Sequence, residues 1–220
     1  MKKIKNLLVT ALFAATAVAG ATAAHAELVV DFGNYADTFT KASTGSDINI
    51  IGWQFTAQEK LNVFRLGYFD IDSGSIAHSV ALYNAAGVQL ASATIGSGQG
   101  TTSGFFRTVN IPSVFLDKGE NYILAATVGD GTYTADTTGT FGGTNTFAGL
   151  QFNNVTYLSD VFDSHNNSLP TTWTSLEGGA ATYGTFGPNM DANAVPEPGT
   201  VVLVGVGLLG LVAVRRKQNK

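Results

Sequence analysis

The 220-residue sequence contains no cysteine. In an oxidising compartment this excludes disulfide staples, thiol chemistry and cysteine-ligated zinc, so a fold has to be held by burial alone. Histidine is nearly as scarce. Of His25, His78 and His165 the first lies in a leader segment, and two are too few for a histidine-rich metal site without help from carboxylates. Cations are few and unevenly placed: Lys2, Lys3, Lys5, Arg215, Arg216, Lys217 and Lys220 crowd the two ends. Residues 27–194 keep five cations against fifteen carboxylates, a balance near −10. So acidic a segment lacks the basic footprint that phosphate backbones require, which excludes a nucleic-acid partner. It suits a self-repelling surface protein, or one that meets divalent cations. No G-x-S-x-G elbow is present, and the adjacency of Ser164 and His165 is no triad, because nucleophile and base must meet in space.

What is present begins at the ends. Residues 1–26 carry a basic start, an apolar stretch from Leu7 to Ala19 and the small-x-small site Ala24-His25-Ala26, which predicts a secretory signal peptide cut after Ala26. The other end, residues 195–220, reads VPEPGTVVLVGVGLLGLVAVRRKQNK. Its apolar run Val201 to Val214 would make about 21 Å of helix against a hydrocarbon core of about 30 Å, a marginal membrane span. Gly205, Gly207 and Gly210 weaken the helix further and allow close approach of another one. The cations Arg215, Arg216 and Lys217 act as a membrane stop and should stay on the cytoplasmic side, leaving residues 27–194 outside.

Between these ends the chain reads as β throughout. Short apolar or alternating runs recur between turn signals, among them IIGWQFT, NVFRLGYFD, HSVALYN, VQLASATI and NYILAATVG. Tyr122, Leu124, Ala126 and Val128 form a period-two row. The Asn84 to Gly87 stretch is a turn, so residues 78–95 are expected to form a hairpin. Strands at this spacing predict an all-β, two-sheet antiparallel sandwich of the jelly-roll or lectin-like kind over residues 27–180, with helices only in the terminal signals. Residues 181–194 read as a final strand fading into a flexible linker. Residues 129–149, with six glycines and seven threonines, read as a long surface connection with a short edge strand.

The sequence Pro196-Glu197-Pro198, followed by the apolar run and the cationic tip, resembles the PEP-CTERM sorting signal of exported Gram-negative bacterial proteins. The resemblance implies that a membrane-embedded exosortase recognises Val195, Pro196, Glu197, Pro198 and Gly199 and cuts near them, in bacteria that make an extracellular polysaccharide matrix. A second resemblance covers the body. The elements LGYFD at Leu66 to Asp70, HSVALYN at His78 to Asn84, Phe106-Arg107 and LDKGENYIL at Leu116 to Leu124 look like a bacterial domain-of-unknown-function family of β-sandwiches. That resemblance implies a fold and transfers no catalytic residue.

Candidate chemistry in the body is thin. Asp70 and Asp72, with Gly74 turning the chain, resemble the front of a calcium loop, although the twelfth position is Ala81 where an EF-hand has glutamate. Calcium is therefore the one cofactor weighed, against an ordinary Asp-rich turn. His78 is placed to pair with Asp70 or Asp72 across that turn, and reads first as structural. Among the aromatics, Trp53 reads as core, while Trp173 in a polar run and Tyr133 are the candidates for stacking on a glycan; Phe141, Tyr157 and Tyr183 belong to the same pool. Asn154 and Asn166 match the N-x-[ST] acceptor pattern. No pair of carboxylates stands out for glycoside hydrolysis. The expected protein is therefore no enzyme: it is an exported surface or matrix protein, structural or carbohydrate-associated, whose partners are signal peptidase, an exosortase, the inner membrane in passing and extracellular polysaccharide. The alternatives are an envelope polysaccharide hydrolase and a retained, membrane-anchored binding protein.

Overall fold

The computed structural model describes residues 27–32, 49–69, 77–128, 151–163, 168–172 and 186–196, the backbone of 40–43 and 132–135, and Gly205, Gly207 and Arg215 of the tail. Those three tail residues are helical and exposed. The expected signal helix and the remainder of the C-terminal helix lie outside the described residues. Among the described residues no helix is long and apolar enough to cross a membrane.

The chain is nearly all β. Its strands are β1 (Glu27–Leu28), β2 (Val30–Asp31), β3 (Thr40–Ser43), β4 (Ile50–Ala57), β5 (Leu61–Phe69), β6 (His78–Asn84) and β7 (Gln89–Ile95), then β8 (Thr101–Ser103), β9 (Phe106–Leu116), β10 (Asn121–Thr127), β11 (Thr132–Ala135), β12 (Gln151–Phe152), β13 (Val155–Asp163) and β14 (Pro188–Ala194). Two five-stranded sheets carry the architecture, one in the order β1-β14-β5-β9-β8 and the other β13-β4-β10-β6-β7; the pairs β11-β3 and β12-β2 stand beside them. Every pairing is antiparallel.

One apolar core joins the two large sheets. Trp53 and Phe55 of β4, Val80 and Leu82 of β6, and Leu124 and Ala126 of β10 meet Leu61, Val63 and Leu66 of β5, Phe106 of β9 and Met190 of β14. Aromatic rings fill the space between. Trp53 lies 4.9 Å from Phe55 and 6.0 Å from Phe186, and Phe32 lies 5.3 Å from Phe69 and 5.0 Å from Phe106, centroid to centroid. Each of these large side chains contributes about 1.5–3 kcal/mol by leaving water, which is how a chain without disulfides holds itself together.

The hairpin expected at residues 78–95 is present as β6 and β7. Asn84 Oδ1 accepts from the backbone N–H groups of Ala86 and Val88, and Gly87 takes φ +76°, a conformation open to glycine and costly for other residues. The alternating row of β10 faces the core as read, yet its opposite face is buried too. Ile123 and Ala125 join Ile50, Ala81, Tyr83 and Val161 in a second cluster outside the sheet, with Leu169 packed against it. The cover is residues 168–172: Pro170 O accepts from Tyr83 Oη, Thr171 O accepts from the Gln89 N–H, and Thr172 bridges Val88.

The final strand expected within residues 181–194 is present as β14, and it is an inner strand, bonded to β1 on one edge and β5 on the other, that runs through to Ala194 with Phe186 to Ala192 buried. The alternation of Met190 and Ala192 toward the core, with Asp191 and Asn193 on the other face, is an ordinary strand period hidden by polar composition.

Candidate functional site at the C-terminal junction

The sequence-derived sorting residues start where β14 stops. Ala194 is the last residue of the strand, and the N–H of Val195 still donates to Lys60 O at 2.7 Å. Pro196 is the first exposed residue beyond it. A proline here is well placed, because it has no N–H to donate and ends a ladder without leaving a donor unpaired.

Behind this junction β14 is locked from several directions. Trp53 Nε1 reaches across from the opposite sheet and donates to Pro188 O at 2.9 Å, both groups being buried. Asn189, with no exposed surface, clamps Val30 on both sides: its Oδ1 accepts from Val30 N–H at 3.1 Å and its Nδ2 donates to Val30 O at 2.6 Å. The same Oδ1 accepts from the Met190 N–H at 2.8 Å. On the outer face of the sheet, Arg65 of β5 donates through a terminal nitrogen to Asp191 Oδ2 at 3.3 Å and through Nε to Asn110 Oδ1 of β9 at 2.9 Å, a polar row across three strands. Burial pushes the Asp191 carboxyl above its ordinary range, and the hydrogen bond and charge of Arg65 pull it part of the way back. Asp191 Oδ1, Asn193 Oδ1 and Asn62 Oδ1 are buried and accept no hydrogen bond, Asn62 and Asn193 facing each other across β5 and β14.

The first strand meets the last. Glu27 pairs with Ala192 and Leu28 with Asp191, so the residue after the expected Ala26 cut lies beside the end of β14. Both ends of the domain therefore lie side by side, on neighbouring strands of one sheet.

The remaining candidates fare differently. Asp70, Asp72, Trp173, Phe141, Tyr183, His165, Asn166, Ala24, Ala26, Glu197, Pro198, Gly199, Arg216 and Lys217 lie outside the described residues, and Tyr133 is described only as backbone within β11. His78 Nδ1 donates to Thr127 O at 2.9 Å, and its ring stacks on Tyr68 at 3.7 Å, tying the two sheets together; the pairing expected with Asp70 or Asp72 involves residues outside those described. Trp53 is core, as read. Tyr157 is buried and donates to Asp160 Oδ1 at 2.9 Å, so it offers no stacking platform; burial, reinforced by Asp160, pushes its hydroxyl well above the usual phenol range. Asn154 holds φ +61° in the tight turn between β12 and β13. Asp160 pairs with inward-facing Trp53 and Asp163 with Ile50 of the outer cluster, so these two carboxylates sit on opposite faces of β13. Among the described residues no group of three or more His, Cys, Asp or Glu side chains gathers as a metal site.

The family model described as Domain of unknown function (DUF4082) matches residues 36–179, well over half of the chain. The chain belongs to the DUF4082 family. A second model, the PEP-CTERM protein-sorting motif, matches residues 194–217, beginning at the final residue of β14. That motif marks the protein as exported, processed by an exosortase and associated with the cell envelope. No protein of the curated set matches the chain. The DUF4082 match stops short of β1, β2 and β14, all of which are built into the sheets. In this DUF4082 chain the folded unit is thus wider than the family match on both sides. Sequence reasoning missed the lock on β14, although Met190 and Ala192 at strand spacing were a signal that could have found it.

Proposed function

We propose that this is a non-enzymatic, exported envelope protein, a jelly-roll β-sandwich delivered by two terminal signals and released at the cell surface or into the polysaccharide matrix of a Gram-negative cell. The observation that carries this reading is the sorting motif seated directly on the last strand. The jelly-roll assignment rests on strand order: β1-β14-β5-β9 and β4-β10-β6-β7 are its two four-stranded sheets, with β8 and β13 added at the edges. In this reading signal peptidase cuts after Ala26, the run Val201 to Val214 holds the protein briefly in the inner membrane against the stop at Arg215, Arg216 and Lys217, and an exosortase ends that stay. Fractionation of the producing cells with intact-mass measurement tests it. The expected result is envelope or extracellular protein lacking both ends; uniform cytoplasmic recovery would defeat it.

Two finer roles belong to the same proposal. Trp173 and Tyr133 are assigned to glycan stacking; Trp173 directly follows Thr172, the end of the cover over the outer cluster. Retention on matrix polysaccharide, lost in Trp173→Ala, is the expected outcome. Asp70 and Asp72 are assigned to a weak calcium site on the spacing of their carboxylates, and the absence of any melting shift in millimolar calcium would remove it.

A further inference from the structure

A processing peptidase needs several residues of extended, unpaired backbone around the bond that it cuts, which is why nicking concentrates in exposed segments outside hydrogen-bonded structure. Among the described residues, 186–195 leave no such length directly upstream of the sorting motif. β14 is laddered to β5 along its whole length and to β1 at Asp191 and Ala192, Asn189 and Trp53 anchor its start, and the last hydrogen bond, from Val195 N–H to Lys60 O at 2.7 Å, falls one residue before the exposed Pro196. Asn193 and Ala194 are held by β5 alone, but Asp191 and Ala192 are held by β1 as well, so freeing the strand back to Met190 strips an inner strand out of the sheet and exposes the core beneath it.

We propose that the folded domain itself sets the upstream limit of C-terminal processing. The bond that is cut lies C-terminal to Val195, and the mature protein keeps the whole of β14. The cleavage breaks one peptide C–N bond; with water as acceptor, the retained carbonyl carbon gains the hydroxyl and becomes a carboxylate, and the departing amine takes the proton. The inference rests on the reading that the sorting segment is removed, and it adds where removal has to stop. It also implies an order of events. β1 has β14 as its ladder partner, so the sheet closes only after residue 194 has crossed the membrane, while the tail still holds the chain.

Two measurements on the full chain separate the failure of this inference from that of the processing reading. The first is C-terminal peptide mapping of the protein recovered from its own cells. A terminus at Val195 or beyond is expected, and one within or upstream of β14 overturns the limit. The second is digestion of the purified full-length chain by proteinase K, which needs no exosortase. The expected resistant fragment retains residues 188–195, and a resistant fragment lacking β14 overturns the limit even if the cells leave Lys220 in place. In that case the uncut terminus defeats the processing reading alone. Asn189→Ala, which removes the clamp on Val30, should speed loss of β14 in the digest about tenfold or more. Lys118→Ala, at an exposed ion pair with Glu59, should leave the rate unchanged. Equal rates for Asn189→Ala and the unaltered chain would also overturn the limit.

Discussion

Asp191 sits where a carboxylate costs most, 2 % exposed, with one oxygen on Arg65 and the other accepting nothing. Burial raises its affinity for a proton above the ordinary value of 3.8, more than Arg65 lowers it. The folded state therefore binds more protons than the unfolded chain between those two pKa values. By linkage, the contribution of this group to stability is complete below about pH 4 and is lost as the pH rises through its raised folded value. Asp191→Asn keeps an oxygen for Arg65 and removes the titration. Urea unfolding from pH 4 to pH 7 should show the variant gaining on the unaltered protein as the pH rises, and parallel profiles would contradict the assignment. The role of Asp191 was not readable from the sequence, because its partner Arg65 is 126 residues away. Trp53 was readable, since Ile51 and Phe55 flank it at strand spacing; its bond to Pro188 O was not.

At the scale of elements, strand alternation and turn chemistry are local, and they made β6, β7 and the inner face of β10 legible. The outer face of β10 was not, because its burial depends on residues 168–172 folding back from elsewhere in the chain. Backbone contact is closest between β4 and β10. A Cβ added at Gly52 would run into the carbonyl oxygen of Leu124 and lie 2.7 Å from the Cα of Ala125. These are main-chain atoms in the middle of a sheet, bonded on both sides, and they have no rotamer by which to yield. Gly52→Ala should therefore cost about 3 kcal/mol, at the upper end of overpacking effects, read as a fall in the urea midpoint. A variant as stable as the parent would mean that the two strands have room to separate.

For the whole molecule the decisive pairing is between the ends. β1 pairs with β14, and β14 pairs with β5, so the sheet that begins the domain is completed by its last seven residues. Composition predicts there a final strand that fades into a linker, because Pro, Asn, Asp and Gly are frequent in residues 184–193, and those residue types favour turns when nothing else intervenes. Tertiary pairing overrides that tendency: Asn189 spends its amide on Val30, 159 residues away, and Met190 fills the core. The consequence separates two truncations that differ by nine residues. A chain from Glu27 ending at Pro196 keeps every pairing of the sheet and should unfold cooperatively, within about 0.5 kcal/mol of the full chain. One ending at Gly187 strands β1, exposes the edge of β5 and takes Met190 out of the core, along with the acceptor of the Trp53 hydrogen bond. Circular dichroism in urea should show no cooperative transition for this shorter chain. A normal transition would mean that the sorting segment is joined to the fold by a dispensable strand, and the domain would then offer the processing enzyme a linker after all.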